Sequence, residues 1–125
     1  MEITKTNYVD IAEKVIGEKL NGKNKKIELT TNKIRNILSI TATIYDQVKM
    51  KKGRLTEDEI ADLMYLKMKL VYESGREKTV RNFVKAAKLI DYINEIGDNR
   101  ENLILYCKYI EALVAYHKYY DEKDN

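Results

Sequence analysis

Between Arg100 and Tyr120 apolar positions recur so densely that little of the segment is left for solvent. Leu103, Cys107, Ile110, Val114 and His117 fall at i, i+4, i+7, i+11 and i+14, one face of an α-helix. Tyr106, Tyr109, Leu113, Tyr116 and Tyr120 make a second stripe of the same spacing beside it, and only Lys108, Glu111, Ala115 and Lys118 remain for a narrow polar face. A helix with so wide an apolar surface must be wrapped by other helices or by another protein. This helix is therefore expected at the centre of the molecule.

The same periodicity, read along the rest of the chain, predicts four more helices. The first runs from about Tyr8 to Leu20, with Asn7 as its N-cap and Val9, Ala12, Val15 or Ile16, and Leu20 turned inward. A basic loop, Asn21 to Lys26, follows it. The second helix runs from about Thr31 to Met50 and buries Ile34, Ile37, Leu38, Thr41, Ile44, Tyr45 and Val48. Its free face carries Lys33, Arg35 or Asn36, Ser39, Thr43 and Asp46. Thr56-Glu-Asp-Glu59 has the form of a capping box opening a third helix, with Ile60, Leu63, Met64, Leu70 and Val71 inside and Lys67 on the same face. Ser74-Gly75 is expected to interrupt that run. The fourth helix spans about Glu77 to Ile96, burying Val80, Phe83, Val84, Ala87 and Ile90. Gly97 ends it, and Asp98-Asn99 caps the last helix.

Composition supports an all-α, compact bundle of about five helices, a single helical domain over residues 1–125. The chain has 125 residues, no proline and five glycines, so little punctuates its helices. One cysteine and one histidine exclude a disulfide within the chain and the usual zinc clusters. Cys107 and His117 both lie on the apolar stripe and read as packing residues. No phosphate-cradling glycine motif or calcium loop occurs. Asp121, Glu122 and Asp124 read as a solvated acidic tail. No nucleophile, base and orienting group can be assembled, so the reading is of a protein that is not an enzyme and carries no cofactor or metal. The N-terminus lacks the layout of a signal peptide and no apolar run would span a membrane, so a soluble, cytoplasmic protein is expected.

Charge changes this picture through its placement. The net charge is only +3, but residues 21–54 hold nine Lys/Arg against Glu28 and Asp46, and residues 76–88 hold five against Glu77. The remainder is net negative, a distribution that suits a polyanionic partner better than scattered solubilising lysines would. Lys78, Arg81, Lys85 and Lys88 fall at i, i+3, i+7 and i+10, within about 80° of one another round a helix. Lys33 and Arg35 occupy a first helical turn, where cations oppose the helix dipole.

The residues also carry a resemblance. Glu111-Ala-Leu-Val-Ala-Tyr-His-Lys-Tyr-Tyr120 is similar to the C-terminal signature of the small subunit of type III-A CRISPR effectors, the Csm complexes. Asn7 to Lys14, Leu29 to Ser39 and Val71 to Glu77 agree in the family's order, so the resemblance covers about residues 7–120. Such subunits often place a glycine pair after the closing aromatics, where this chain has Asp121-Glu122. The resemblance implies a non-catalytic small subunit of an RNA-guided antiviral complex. Several copies would stack beside the backbone subunits and lead toward the large signalling subunit. Its partners would be guide RNA, target RNA, other Csm subunits and neighbouring copies, with RNA gripped through phosphate and sugar. The residues expected to bind RNA are Lys33, Arg35, Lys67, Arg76, Lys78, Arg81 and Lys85, with Lys51, Lys52 and Arg54 as second candidates. The alternative is a self-associating helical structural protein with no nucleic-acid role. A small DNA-binding regulator is a third, though no clean recognition helix stands out.

Overall fold

The computed structural model describes residues 1–21 and 31–120, all of whose regular structure is helical. Among the described residues six α-helices occur in place of the expected five: α1 (Tyr8–Lys14), α2 (Thr31–Val48), α3 (Glu57–Arg76), α4 (Lys78–Ala86), α5 (Leu89–Ile96) and α6 (Arg100–Tyr120). The loop Asn21 to Lys26 and the acidic tail fall mainly or wholly outside the described residues.

The last helix is central, as its pattern requires. It packs against α1, α2 and α5. Leu103, Tyr106, Cys107, Tyr109, Ile110, Leu113 and His117 are buried, and Lys108, Glu111, Ala115 and Lys118 are exposed. Arg100, its first residue, is buried too, at 6% exposure. Its guanidinium uses all five N–H donors. Two go to the Glu59 carboxylate at 2.7 and 2.8 Å, and three to the carbonyls of Val48, Gly53 and Arg54 at 3.1, 3.0 and 3.1 Å. Glu59 also completes the expected capping box. Its carboxylate accepts from the Thr56 amide at 2.9 Å, while its own amide donates to the Thr56 hydroxyl at 3.2 Å. The end of α2, the loop after it, and the starts of α3 and α6 thus meet at one ion pair.

Several expectations are corrected here. The first helix becomes π-helical from Val15 to Asn21, which lets both Val15 and Ile16 reach the core, and Val9 is 41% exposed. Asn7 makes no side-chain cap; its amide group instead holds the N-terminal arm, accepting from the Thr4 amide at 2.6 Å and donating to the Glu2 carbonyl at 3.1 Å. The buried stripe of α3 is Leu63, Leu66 and Leu70, so Met64 and Val71 face outward. Finally, α3 runs through Ser74-Gly75 to Arg76 and breaks at Glu77, whose backbone is extended at φ −131°, ψ 120°.

The fourth expected helix divides into α4 and α5 at Lys88, a non-glycine residue in the left-handed region at φ 57°. Neither glycine nor proline signals this break. It is stabilised from α6. The Tyr109 hydroxyl donates to the Ala87 carbonyl at 2.9 Å and the Tyr106 hydroxyl to the Leu89 carbonyl at 2.7 Å, satisfying two backbone acceptors at the bend. Burial raises the pKa of both tyrosines, so the hydroxyls remain donors. The side chain of Lys88 bonds Glu2 at 2.7 Å and so leaves the basic stripe in which spacing placed it.

Leu113→Asp puts an unpaired carboxylate into the fully buried face of α6. The variant is expected to lose its cooperative circular-dichroism melt. The Arg100 bonds hold the Glu59 carboxyl at about 2, below its ordinary 4.5. Its contribution to stability is complete above about 4.5 and is lost as pH falls toward about 2. Urea midpoints measured across that window should fall more steeply for the wild type than for Glu59→Gln.

Candidate nucleic-acid interface

The break at Glu77 turns the chain from α3 into α4 within one residue and gathers cations from three helices. Lys33, from the first turn of α2, reaches the Glu77 carboxylate at 2.6 Å. That bond is the main cause of the lowered Glu77 pKa, with burial opposing it. Arg76 lies 3.3 Å from Glu73, and the Arg81 Nε donates to the Ser74 carbonyl at 3.0 Å. Lys78, Arg81 and Lys85 are exposed along α4. Among the described residues, Lys78 and Lys85 form no ion pair. The buried hydroxyls of Ser74 and Thr79, either side of Glu77, have no hydrogen-bond partner among the described residues.

Lys33, Arg76, Lys78 and Arg81 therefore come together, and Lys85 continues their line down α4. Lys33 is half-buried and paired, rather than on a free face. Arg35 is exposed, but a separation of two residues places it about 200° round α2 from Lys33. Lys67 is half-buried at the rim of α3, about 180° round that helix from Arg76. Neither shares the junction. One cation that spacing did not single out does: Lys69 lies on the Arg76 side of α3, its ammonium 5.6 Å from the centroid of the Tyr72 ring.

The other cationic loop has a different character. Lys51, Lys52 and Arg54 are exposed at the opposite end of α3, about 30 Å away along the helix axis. Lys49 pairs with Asp46 at 3.2 Å, Arg54 approaches Asp98 at 3.8 Å, and Glu57 and Asp58 follow in the next turn. The positive charge of this loop is largely compensated locally. Among the described residues at the junction, Lys33, Lys69, Arg76, Lys78, Arg81 and Lys85 outnumber Glu73 and Glu77, so their net field is positive.

A shallow groove of about 310 Å³ runs between α2 and α3 beside the junction, lined in part by Asn36, Ser39, Tyr65, Lys69 and Glu73. Among the described residues, no group of three or more His, Cys, Asp or Glu could hold a metal ion, and no helix is long and apolar enough to cross a membrane. Burial pushes the Cys107 thiol up to about 12. It is therefore a neutral packing group at physiological pH.

Glu77→Gln removes a negative charge from the junction and releases Lys33. This variant is expected to elute from a heparin column at higher salt than the wild type, and Lys78→Ala at lower salt. Unchanged elution of both would place polyanion binding elsewhere.

A basic junction on an all-helical scaffold agrees with the family resemblance, and comparison with known proteins settles the family. The family model described as Csm2 Type III-A matches residues 4–123. The chain is 42% identical to CRISPR system Cms protein Csm2 of Streptococcus thermophilus, over 98% of each chain. It is 39% identical to the protein of that name from Mycobacterium tuberculosis strain H37Rv, over 99% of each chain. To the one from Enterococcus italicus it is 36% identical, with 96% of this chain and 97% of the relative covered. The chain belongs to the Csm2 family, the small subunit of type III-A CRISPR complexes.

Proposed function

We propose that this chain is a non-catalytic component of the type III-A effector complex that grips the backbone of guide or target RNA without reading its bases. Several copies stack along the complex, in contact with backbone subunits, the large signalling subunit and one another. The observation that carries the RNA contact is the line of exposed cations Lys78, Arg81 and Lys85 on α4, continued by Arg76 at the junction. Their spacing along the axis, about 4.5 to 6 Å per step, is comparable to phosphate separation along a strand. Contacts of this kind give affinity through counterion release and leave specificity to base pairing. Lys33 contributes when its bond to Glu77 is exchanged for a phosphate. Arg35 and Lys67 point away from this surface and would meet RNA only on other sides of the chain.

One observation favours the second reading, a self-associating structural subunit with no nucleic-acid role. Met64, Tyr65, Met68, Val71 and Tyr72 form an exposed apolar stripe on α3. Contiguous apolar surface of this kind marks interaction sites.

RNA affinity measured across a salt series separates the two. Replacing Lys78, Arg81 and Lys85 together by Ala is expected to weaken binding equally for unrelated RNA sequences. The slope of log affinity against log salt should flatten by roughly 0.7 to 0.9 for every phosphate that no longer meets a cation. Helicity should hold, because Ala is the best helix former and these positions are exposed. Unchanged affinity and slope would reduce the line to a solvated face and favour the structural reading.

A further inference from the structure

Backbone contact alone does not account for the aromatic surface beside the cations. Of the tyrosines in the chain, Tyr106 and Tyr109 are buried and bonded, whereas Tyr72 is 56% exposed on the last turns of α3. Its ring is bracketed by two cations, with the Lys69 ammonium and the Arg76 guanidinium each 5.6 Å from the centroid. Both head groups lie over the ring as cation–π contacts, and a base takes the place of one when that side chain swings off the ring to a phosphate. Tyr65, seven residues earlier and so about 10 Å along the axis, is 52% exposed and lines the groove between α2 and α3 with Lys69.

We propose that Tyr72 is a stacking platform for an unpaired nucleobase. The base lies on its ring, while Lys69 and Arg76 take the flanking phosphates. This rests on the RNA reading above and adds to it a preference for single strands, since a base within a duplex already has both faces stacked. Two features favour a nucleotide over a protein side chain as the occupant. The ring stands within the positive field of the junction, and a nucleotide brings a π-face together with a negative charge less than a residue's length away, matching the ring and its two cations. The stacking is indifferent to base identity, because every base presents a π-face. It is therefore compatible with recognition that leaves sequence to pairing. Met68 and Val71, also exposed, extend the apolar border of the platform.

The test uses the full chain, with a ten-nucleotide oligoadenylate and a phosphate-matched abasic oligomer as probes. The wild type is expected to bind oligoadenylate about tenfold more tightly than the abasic strand. Tyr72→Ala should lose that difference while keeping the wild-type slope of affinity against salt, because stacking releases no counterions. Tyr72→Phe and Tyr72→Trp should retain it. The triple alanine variant of Lys78, Arg81 and Lys85 gives the opposite signature, a flattened slope with the preference for bases intact. Equal binding of the two oligomers by the wild type, or an unchanged preference in Tyr72→Ala, would overturn the platform while leaving phosphate contact standing. Failure of the wild type to bind either oligomer would overturn both. If Tyr72→Ala keeps its RNA affinity but no longer joins its neighbouring subunits, the face is a protein contact and the proposal is wrong.

Discussion

The fold turns on the Arg100–Glu59 pair. Two charges at about 6% side-chain exposure would be costly on their own, since each loses its water. Here the guanidinium is satisfied at every donor and the carboxylate also accepts a backbone amide, so the desolvation is offset by directed bonds. The arrangement stabilises more than the pair itself. It takes up carbonyls at the end of α2 and in the loop that follows, where Gly53 adopts φ 85°. It also shares Glu59 with the cap of α3. Lys33 and Glu77 make a second tie at the far end of the same two helices. α2 and α3 are thus fastened near both ends, and the groove between them stays open.

The cationic surface is assembled by backbone breaks as much as by charge. α4 begins after one extended residue, Glu77, and ends just before one left-handed residue, Lys88. Both breaks are stabilised by parts of the chain distant in sequence: α2 supplies Lys33 to the first, and α6 supplies Tyr106 and Tyr109 to the second. The core of the bundle therefore decides which way the exposed line of α4 points. Hydroxyl groups on the central helix are part of that decision.

Much of this architecture was legible from periodicity. The two stripes of Arg100 to Tyr120, the capping box at Thr56, the helix end at Gly97 and the line Lys78, Arg81 and Lys85 all follow from spacing. What was not legible depended on partners far along the chain. Nothing near Arg100 announces a carboxylate 41 residues earlier. Lys88 is neither glycine nor proline, so the division of α4 from α5 leaves no local mark. On α3 the apolar positions cover most of the circumference, and Met64 and Val71 fit a stripe about as well as Leu66 does. The pattern could not tell the inner face from the outer one. Lys33 reads as free because Glu77 is 44 residues away, and charge alone makes Lys67 and Arg35 RNA-binding candidates although the helical turn separates them from the junction.

The two breaks also make α4 a short rod of its own. It is nine residues, about 13 Å, bounded by one extended residue, Glu77, and followed at Lys88 by one left-handed residue. Its buried side, Val80, Phe83 and Val84, is seated in the core of the bundle. A rigid rod so mounted fixes where each cationic side chain is rooted, and only the side chains themselves adjust. Lys78, Arg81 and Lys85 therefore leave the rod at fixed intervals of about 4.5 to 6 Å along its axis. A strand lying across them meets a ruler of fixed gradation.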